Sequence, residues 1–423
     1  MKWFRPARRE TESSDAEGAL VYLLSLLLPS FLLGLGRGFT VPVLPILARD
    51  EFGVGAAAAT LIFLAPIVGL VVATIPSGYL IDHFGRRRIL IAGPLINAIS
   101  AFLIFFSSSY WGMLALLVVN GISLQMWEMG RLAVISDSGA IHRRGKMITN
   151  MAGFQRAGTL LGPFLGGILG ATAGLRVPFL VYALVGLVAM VLMIRYITET
   201  APGKTDDDND DADAGNESLA PAFWPSLLKP QFLALFGVQV LSNLARGATW
   251  AHAGPAFIFT AYAYGVGAAE LGMISLLVGV VGIPSSMLAG ALMDRYGRKS
   301  CFVPASAVMG VALCAMAWVA MQEGPLFWFL ATYVWANLAS AFMSGALQTV
   351  AADIAPAQNR GKFISVARLS GAAGELANPA VFAVTVALMA TPGGYALGFL
   401  IMGISGLMTS VLTRRLVAET LQR

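Results

Sequence analysis

Twelve stretches of this chain stay predominantly apolar for about 20 residues or longer, and that repetition restricts the fold more than any other feature. They lie near residues 20–46, 56–80, 89–108, 111–135, 147–172 and 177–196, then near 230–260, 269–292, 300–320, 325–350, 363–389 and 394–415. A helix rises about 1.5 Å per residue, so each stretch can cross a hydrocarbon layer of about 30 Å. Backbone N–H and C=O groups find no water in that layer, which leaves helices and closed barrels as the only spanning structures. The stretches do not alternate apolar and polar residues as barrel strands do, so helices are expected. Composition agrees, with 57% hydrophobic residues, 12% charged and a mean hydropathy of +0.74, where soluble domains carry about 25% charged residues. The expected fold class is an all-α polytopic membrane protein with twelve transmembrane helices.

Between the sixth and seventh stretches, residues 197–229 hold Asp206, Asp207, Asp208, Asp210, Asp211, Asp213 and Glu217. Such an acidic run cannot bury enough apolar surface to fold and reads as a solvated linker. The predicted layout is a tail over 1–19, helices over 20–196, the linker over 197–229, helices over 230–415 and a tail over 416–423. The run that begins at Ala19 is too long for a signal-peptide core and is expected to remain as the first span. Of 28 Lys and Arg residues, 21 fall on the N-terminal side of this topology, only Arg49 and Arg176 fall on the opposite side, and five lie within spans. The positive-inside rule therefore puts both termini in the cytoplasm, in a cytoplasmic (inner) membrane. Topology also explains the pI of about 9.3, without nucleic acid as a partner.

Several functional classes are excluded. Cys301 and Cys314 fall in one apolar stretch, so neither a disulfide framework nor a cysteine zinc site is expected. No phosphate loop is present: Gly145-Lys146 and Gly361-Lys362 are followed by apolar residues, and Gly203-Lys204-Thr205 lacks the preceding glycine. With three histidines and two intramembrane acids, no enzyme activity, metal or cofactor is expected.

The chain repeats itself. Gly78 to Arg88 reads GYLIDHFGRRR and Gly290 to Ser300 reads GALMDRYGRKS, with Gly, Leu, Asp, Gly and Arg shared. Asp137 to Lys146 and Asp353 to Lys362 share the spacing D-x6-R-G-K, and Arg37-Gly38-x-Thr40 matches Arg246-Gly247-x-Thr249. Three correspondences in the same order imply two six-helix halves of parallel orientation.

These loops resemble the signature of the major facilitator superfamily, and the resemblance covers nearly the whole chain. It implies the major facilitator fold of two pseudo-symmetric six-helix bundles. It also implies a cytoplasmic gate built from Gly78, Asp82, Gly85, Arg86, Asp137 and Arg144 in the first half and Gly290, Asp294, Gly297, Arg298, Asp353 and Arg360 in the second. Span five reads Gly153-x8-Gly162-Pro163-x2-Gly166-Gly167, similar to the antiporter motif of drug/proton exchangers. Span one carries Leu35-Gly36-x5-Pro42-Val43-x-Pro45, similar to the accompanying motif of twelve-helix exporters. The R-x2-Q-G string those exporters carry on their fourth helix is replaced by Leu117-Val118-Val119-Asn120-Gly121, without the arginine.

Seven ionisable residues fall well inside predicted spans: Arg37, Glu128, Arg131, Arg156, Arg246, Arg368 and Glu375. Each costs about 2.5–3.5 kcal/mol at a helix centre, so they are expected to pair or to face a water-filled cavity. Gln239, Asn243, Arg246 and Trp250 fall on one face of a continuous helix, and with Arg37 and Arg156 they are the substrate-binding candidates. Glu128, Arg131, Arg156 and Arg368 form the expected charge network. Glu128, Glu375 and His252 are the candidate proton carriers. The excess of arginine favours an anionic or electron-rich ligand, and Trp127, Trp250 and Phe154 suit an amphipathic one.

The expected function is secondary active transport by alternating access: proton-coupled efflux of a small amphipathic or anionic organic solute. Anion uptake or facilitated passage by the same fold is the alternative, and a transporter-like scaffold or sensor acting through the acidic loop is an alternative of another class. The expected partners are a small-molecule substrate, protons and membrane lipids, and the expected state is a monomer.

Overall fold

A computed structural model describes residues 20–138, 141–197, 228–249, 254–355, 360–389 and 391–416, without the side chains at 82, 136–138, 141–146, 352 and 360–362. The predicted tails, nearly all of the acidic linker, Trp250 and His252 lie outside the described residues. So do the side chains of Asp82, Asp137, Arg144 and Arg360.

The described residues are almost entirely helical. The first six spans are α1 (Leu28–Thr40) with α2 (Val43–Asp50), α3 (Ala56–Phe84), α4 (Arg86–Phe106), α5 (Tyr110–Ser138), α6 (Ile141–Ala173) and α7 (Val177–Tyr196). The second six are α8 (Pro230–Ala245) with α9 (Gly254–Ala263), α10 (Ala268–Tyr296), α11 (Arg298–Met321), α12 (Leu326–Phe342) with α13 (Ala346–Ile354), α14 (Arg360–Leu388) and α15 (Gly393–Leu416). Ten helical spans are long and apolar enough to cross a membrane among the described residues. The other two are span five, where Gln155, Arg156 and several glycines lower the hydropathy of α6, and span seven, which is divided.

Three predicted spans are broken, each for a local chemical reason. Span one turns at Val41-Pro42, where Pro42 has no N–H to continue the ladder. Span ten breaks before Gly345, whose φ of 81° favours glycine. Span seven leaves the α-helix after Ala245 through a 3-10 turn at Arg246–Ala248, with Thr249 extended. The expected face that ran continuously from Gln239 to Trp250 is thereby corrected, because a helical register does not persist through extended backbone. Gly85 and Gly297, matched in the repeat, each separate two helices with φ of 86° and 100°.

The described residues divide into two compact units. The first lies within Met1–Leu47, Val68–Pro202 and Ala268–Met273, the second within Ala48–Ile67, Gly203–Gly267 and Ile274–Arg423. In the first, α1 packs on α6 and α7, and α4 on α5 and α7. In the second, α8 packs on α14 and α15, and α11 on α12 and α15, which is the same pattern carried by the repeat. The first core gathers Leu33, Leu90, Leu124, Met151 and Met193 around Trp127. The second packs Phe259, Phe329, Phe382, Tyr395 and Phe399 tilted or edge-on at centroid distances of 4.7–6.0 Å. Outside these cores, Ile75, Met287 and Leu388 are more than 70% exposed, as hydrocarbon-facing positions should be.

The glycines of span five set several close crossings. A Cβ on Gly162 would overlap Gly38 and the Leu35 carbonyl, and one on Gly166 would overlap the Phe39 backbone. Gly167 faces Ala268 and Gly272 in the same unit. Gly153, by contrast, has nothing within 4 Å of an added Cβ. Small residues let backbones approach where lipid supplies no hydrophobic drive for association. Gly166→Leu should destabilise the protein by about 1–3 kcal/mol or more, while Gly153→Ala should be neutral or stabilising by a few tenths up to about 1 kcal/mol. Thermal unfolding of the two variants in detergent checks the contrast.

Candidate translocation site

The repeated Arg-Gly-x-Thr sits at the two helix breaks. A helix that stops leaves its last carbonyls without intrahelical donors. In both halves the threonine hydroxyl donates to the arginine carbonyl three residues back: Thr40 Oγ1 to Arg37 at 2.9 Å, and Thr249 Oγ1 to Arg246 at 2.6 Å, where it joins the Thr249 N–H at 2.9 Å. The two arginines thus sit at helix C-terminal ends, where the macrodipole favours a cation. Arg37 is exposed, beside Gly36, whose face is filled by the Tyr182 ring. Arg246 is half-buried, and its Nε donates to Ser340 Oγ at 3.1 Å. Ser340 Oγ also lies 3.2 Å from Thr249 Oγ1.

Helix α14 supports the seventh-span break. Asn378 Nδ2 donates to the Leu244 carbonyl at 2.9 Å, and its amide fills the space where Gly247 has no side chain. Gln239 is buried and, with Asn243, faces Gly371 of α14; Asn243 Nδ2 also donates to the Gln239 carbonyl at 3.0 Å. These two candidates therefore line the α8–α14 contact. Glu375 is half-buried on α14, and Arg368, two turns earlier, is exposed.

Span four carries the second polar centre. Arg131 Nη2 lies 3.6 Å from Glu128 Oε1, one helical turn away, with side-chain exposures of 12% and 29%. The Arg131 guanidinium stacks 4.2 Å above the Trp127 ring, a cation–π contact. From α6, Gln155 Nε2 donates to Glu128 Oε1 at 3.4 Å. Arg156, one residue further and so about 100° around the helix, is exposed. The charge network expected from the sequence included Arg156 and missed Gln155. Three buried donors, Arg131 Nε and Nη1 and Trp127 Nε1, have no acceptor among the described residues. The stretch that lacks the exporters' arginine holds Asn120, which is buried and donates to Ser100 Oγ at 3.3 Å, while Asn97 Nδ2 donates to Tyr182 Oη at 2.7 Å.

At the gate loops, Arg298 pairs with Asp353, joining the start of α11 to the end of α13. Asp294 is exposed. A Cβ added at Gly78 or Gly290 would meet nothing within 4 Å among the described residues.

The broken spans, the intramembrane charges and the repeated packing define a multi-pass membrane protein built as two related six-helix sets. The sequence matches the Major Facilitator Superfamily over residues 26–245 and 235–421, and the chain belongs to that family. Over 222 residues it is 25% identical to the quinolone resistance protein NorA of Staphylococcus aureus, covering 51% of this chain and 55% of that protein. Over 179 residues it is 30% identical to multidrug resistance protein 1 of Bacillus subtilis, covering 42% and 46%. The chain thus spans about half the length of the curated relatives it matches. Among solved structures, the D-xylose–proton symporter superimposes with a TM-score of 0.74 at 17% identity, covering 95% of this chain and 97% of that one. The inward-open xylose transporter XylE of E. coli gives 0.69 at 18%, again covering 95% and 97%. At these identities the structures show the fold alone.

Removing the threonine hydroxyls tests the breaks. Thr40→Val loses one side-chain hydrogen bond and Thr249→Val loses the bonds to both Arg246 and Ser340, at about 1 kcal/mol each. Thr249→Val should therefore lower the thermal midpoint in detergent roughly twice as far as Thr40→Val.

Proposed function

We propose that the protein is a secondary active transporter that exports a small amphipathic or anionic organic solute in exchange for protons. The observation that carries the substrate chemistry is the Glu128–Arg131–Trp127 cluster. An unmet buried donor costs about 1–3 kcal/mol, and an acceptor-rich ligand that reached Arg131 would recover part of that. A carboxylate suits a guanidinium in particular, because two parallel N–H···O bonds can form. Trp127 adds an aromatic face beside the charge.

The same cluster supplies a means of exchange. An amphipathic solute whose acceptor meets Arg131 while its own donor is held by the ionised Glu128 carboxylate loses that second hold when Glu128 is protonated. Coupling then follows because solute and proton occupy Glu128 in turn. Glu375 is the second candidate carrier. Efflux over uptake draws support from the resistance proteins of Staphylococcus aureus and Bacillus subtilis to which the chain is similar, and from the glycine string on α6. With both termini cytoplasmic, the Arg298–Asp353 pair belongs to the inner gate of the second half.

Transport by purified protein in proteoliposomes with an imposed pH gradient, against a panel of organic anions and cations, tests this reading. Glu128→Gln should abolish gradient-driven flux while keeping counterflow, and Arg131→Gln should weaken an anionic solute about tenfold or more, the equivalent of ~1.4 kcal/mol. Glu375→Gln run beside them tells which acid carries the proton. Asp353→Asn should slow transport without unfolding the protein, an effect a pure scaffold would not show. Absence of gradient-dependent flux for every compound would sink the exchange mechanism.

A further inference from the structure

On the second unit, α10, α11 and α12 enclose a groove of about 430 Å³, within the range of small-ligand sites. Leu292 and Tyr296 of α10, Cys301 and Pro304 of α11, and Trp335 and Phe342 of α12 line it. Apart from Ser300 at one end, the lining is almost wholly apolar. That end meets the α10–α11 loop, where Arg295 lies 5.4 Å from the Tyr296 ring centroid and is exposed, and Lys299 adjoins Ser300.

The corresponding place in the first unit is closed. There Ile89, matched by the repeat to Cys301, packs with Ile81 and Met126, and Leu80, Ile96 and Ile122 cover them. The opening is thus particular to one half and not a consequence of the shared fold. It joins an apolar trough of acyl character to a basic end, at the loop that the arginine distribution assigns to the cytoplasm. Basic residues between helices on that side attract anionic headgroups, each by about fivefold in occupancy, the equivalent of ~1 kcal/mol.

We infer that this groove is a binding site for an anionic phospholipid of the inner leaflet. One acyl chain lies along Leu292, Pro304 and Trp335, and the phosphate meets Arg295 and Lys299. The inference is independent of the transported solute and of proton coupling.

Cys301 reports occupancy directly, because it lines the groove and Cys314 is the chain's other cysteine. The full-length Cys314→Ala protein is reconstituted in phosphatidylcholine, with or without phosphatidylglycerol, and alkylated with a membrane-permeant maleimide. Phosphatidylglycerol should slow alkylation of Cys301 about fivefold or more, and Arg295→Gln/Lys299→Gln should remove the difference. Native mass spectrometry should show retained phosphatidylglycerol that is lost both in that double variant and in Ala339→Trp, which fills the trough. Equal alkylation in the two lipids, equal protection by phosphatidylcholine alone, or lipid retained in both variants would each overturn the inference.

Discussion

A polar group inside hydrocarbon has no water to turn to, and every part of this structure answers that constraint. Backbone groups answer it by forming helices across every described span. Where a helix must stop within the membrane, at Thr40 and Thr249, a side-chain hydroxyl donates to a carbonyl of the last turn, at Arg246 together with a backbone N–H. The arginine whose carbonyl is held in this way is itself placed at the favourable end of the helix dipole. The Arg-Gly-x-Thr repeat is thus a device for ending a helix at a cation, used twice.

The same constraint sorts the side chains. Arg246 is held by Ser340, Glu128 by Arg131 and Gln155, and the Leu244 carbonyl by Asn378. At the seventh-span break Asn378 Oδ1 is left without a partner among the described residues, while Arg246, Thr249 and the Leu244 carbonyl are all bonded. Incomplete satisfaction around Arg131 and Trp127 marks that cluster as the place with something left to bind. Glycine performs the complementary task, since Gly38, Gly162 and Gly166 bring backbones together where lipid gives helices no reason to associate.

Much of this was legible beforehand. Span positions, the repeat and the turning glycines Gly85 and Gly297 follow from apolar length and local chemistry, which a sequence displays. The breaks were half legible, because Pro42 and the repeated threonines were visible while the extended backbone at Thr249 was not. Partner choice was least legible. Gln155 takes Glu128 because α6 is rotated to present it, leaving Arg156 on a different face. Gln239 and Asn243 were visible as substrate-binding candidates, but their place opposite Gly371 at the α8–α14 contact was not.

By itself, then, the sequence determined that the chain crosses a membrane as helices, that it is duplicated, and that seven charges remain within its spans. Length, periodicity and residue spacing are one-dimensional quantities, and each follows from the cost of exposing a peptide group or a charge to lipid. Only the tertiary structure decided which charges meet, which glycines carry a crossing, and why one half keeps an open groove where the other is packed shut. Those outcomes depend on the rotation and separation of neighbouring helices, and these are set by side-chain fit between residues far apart in the chain.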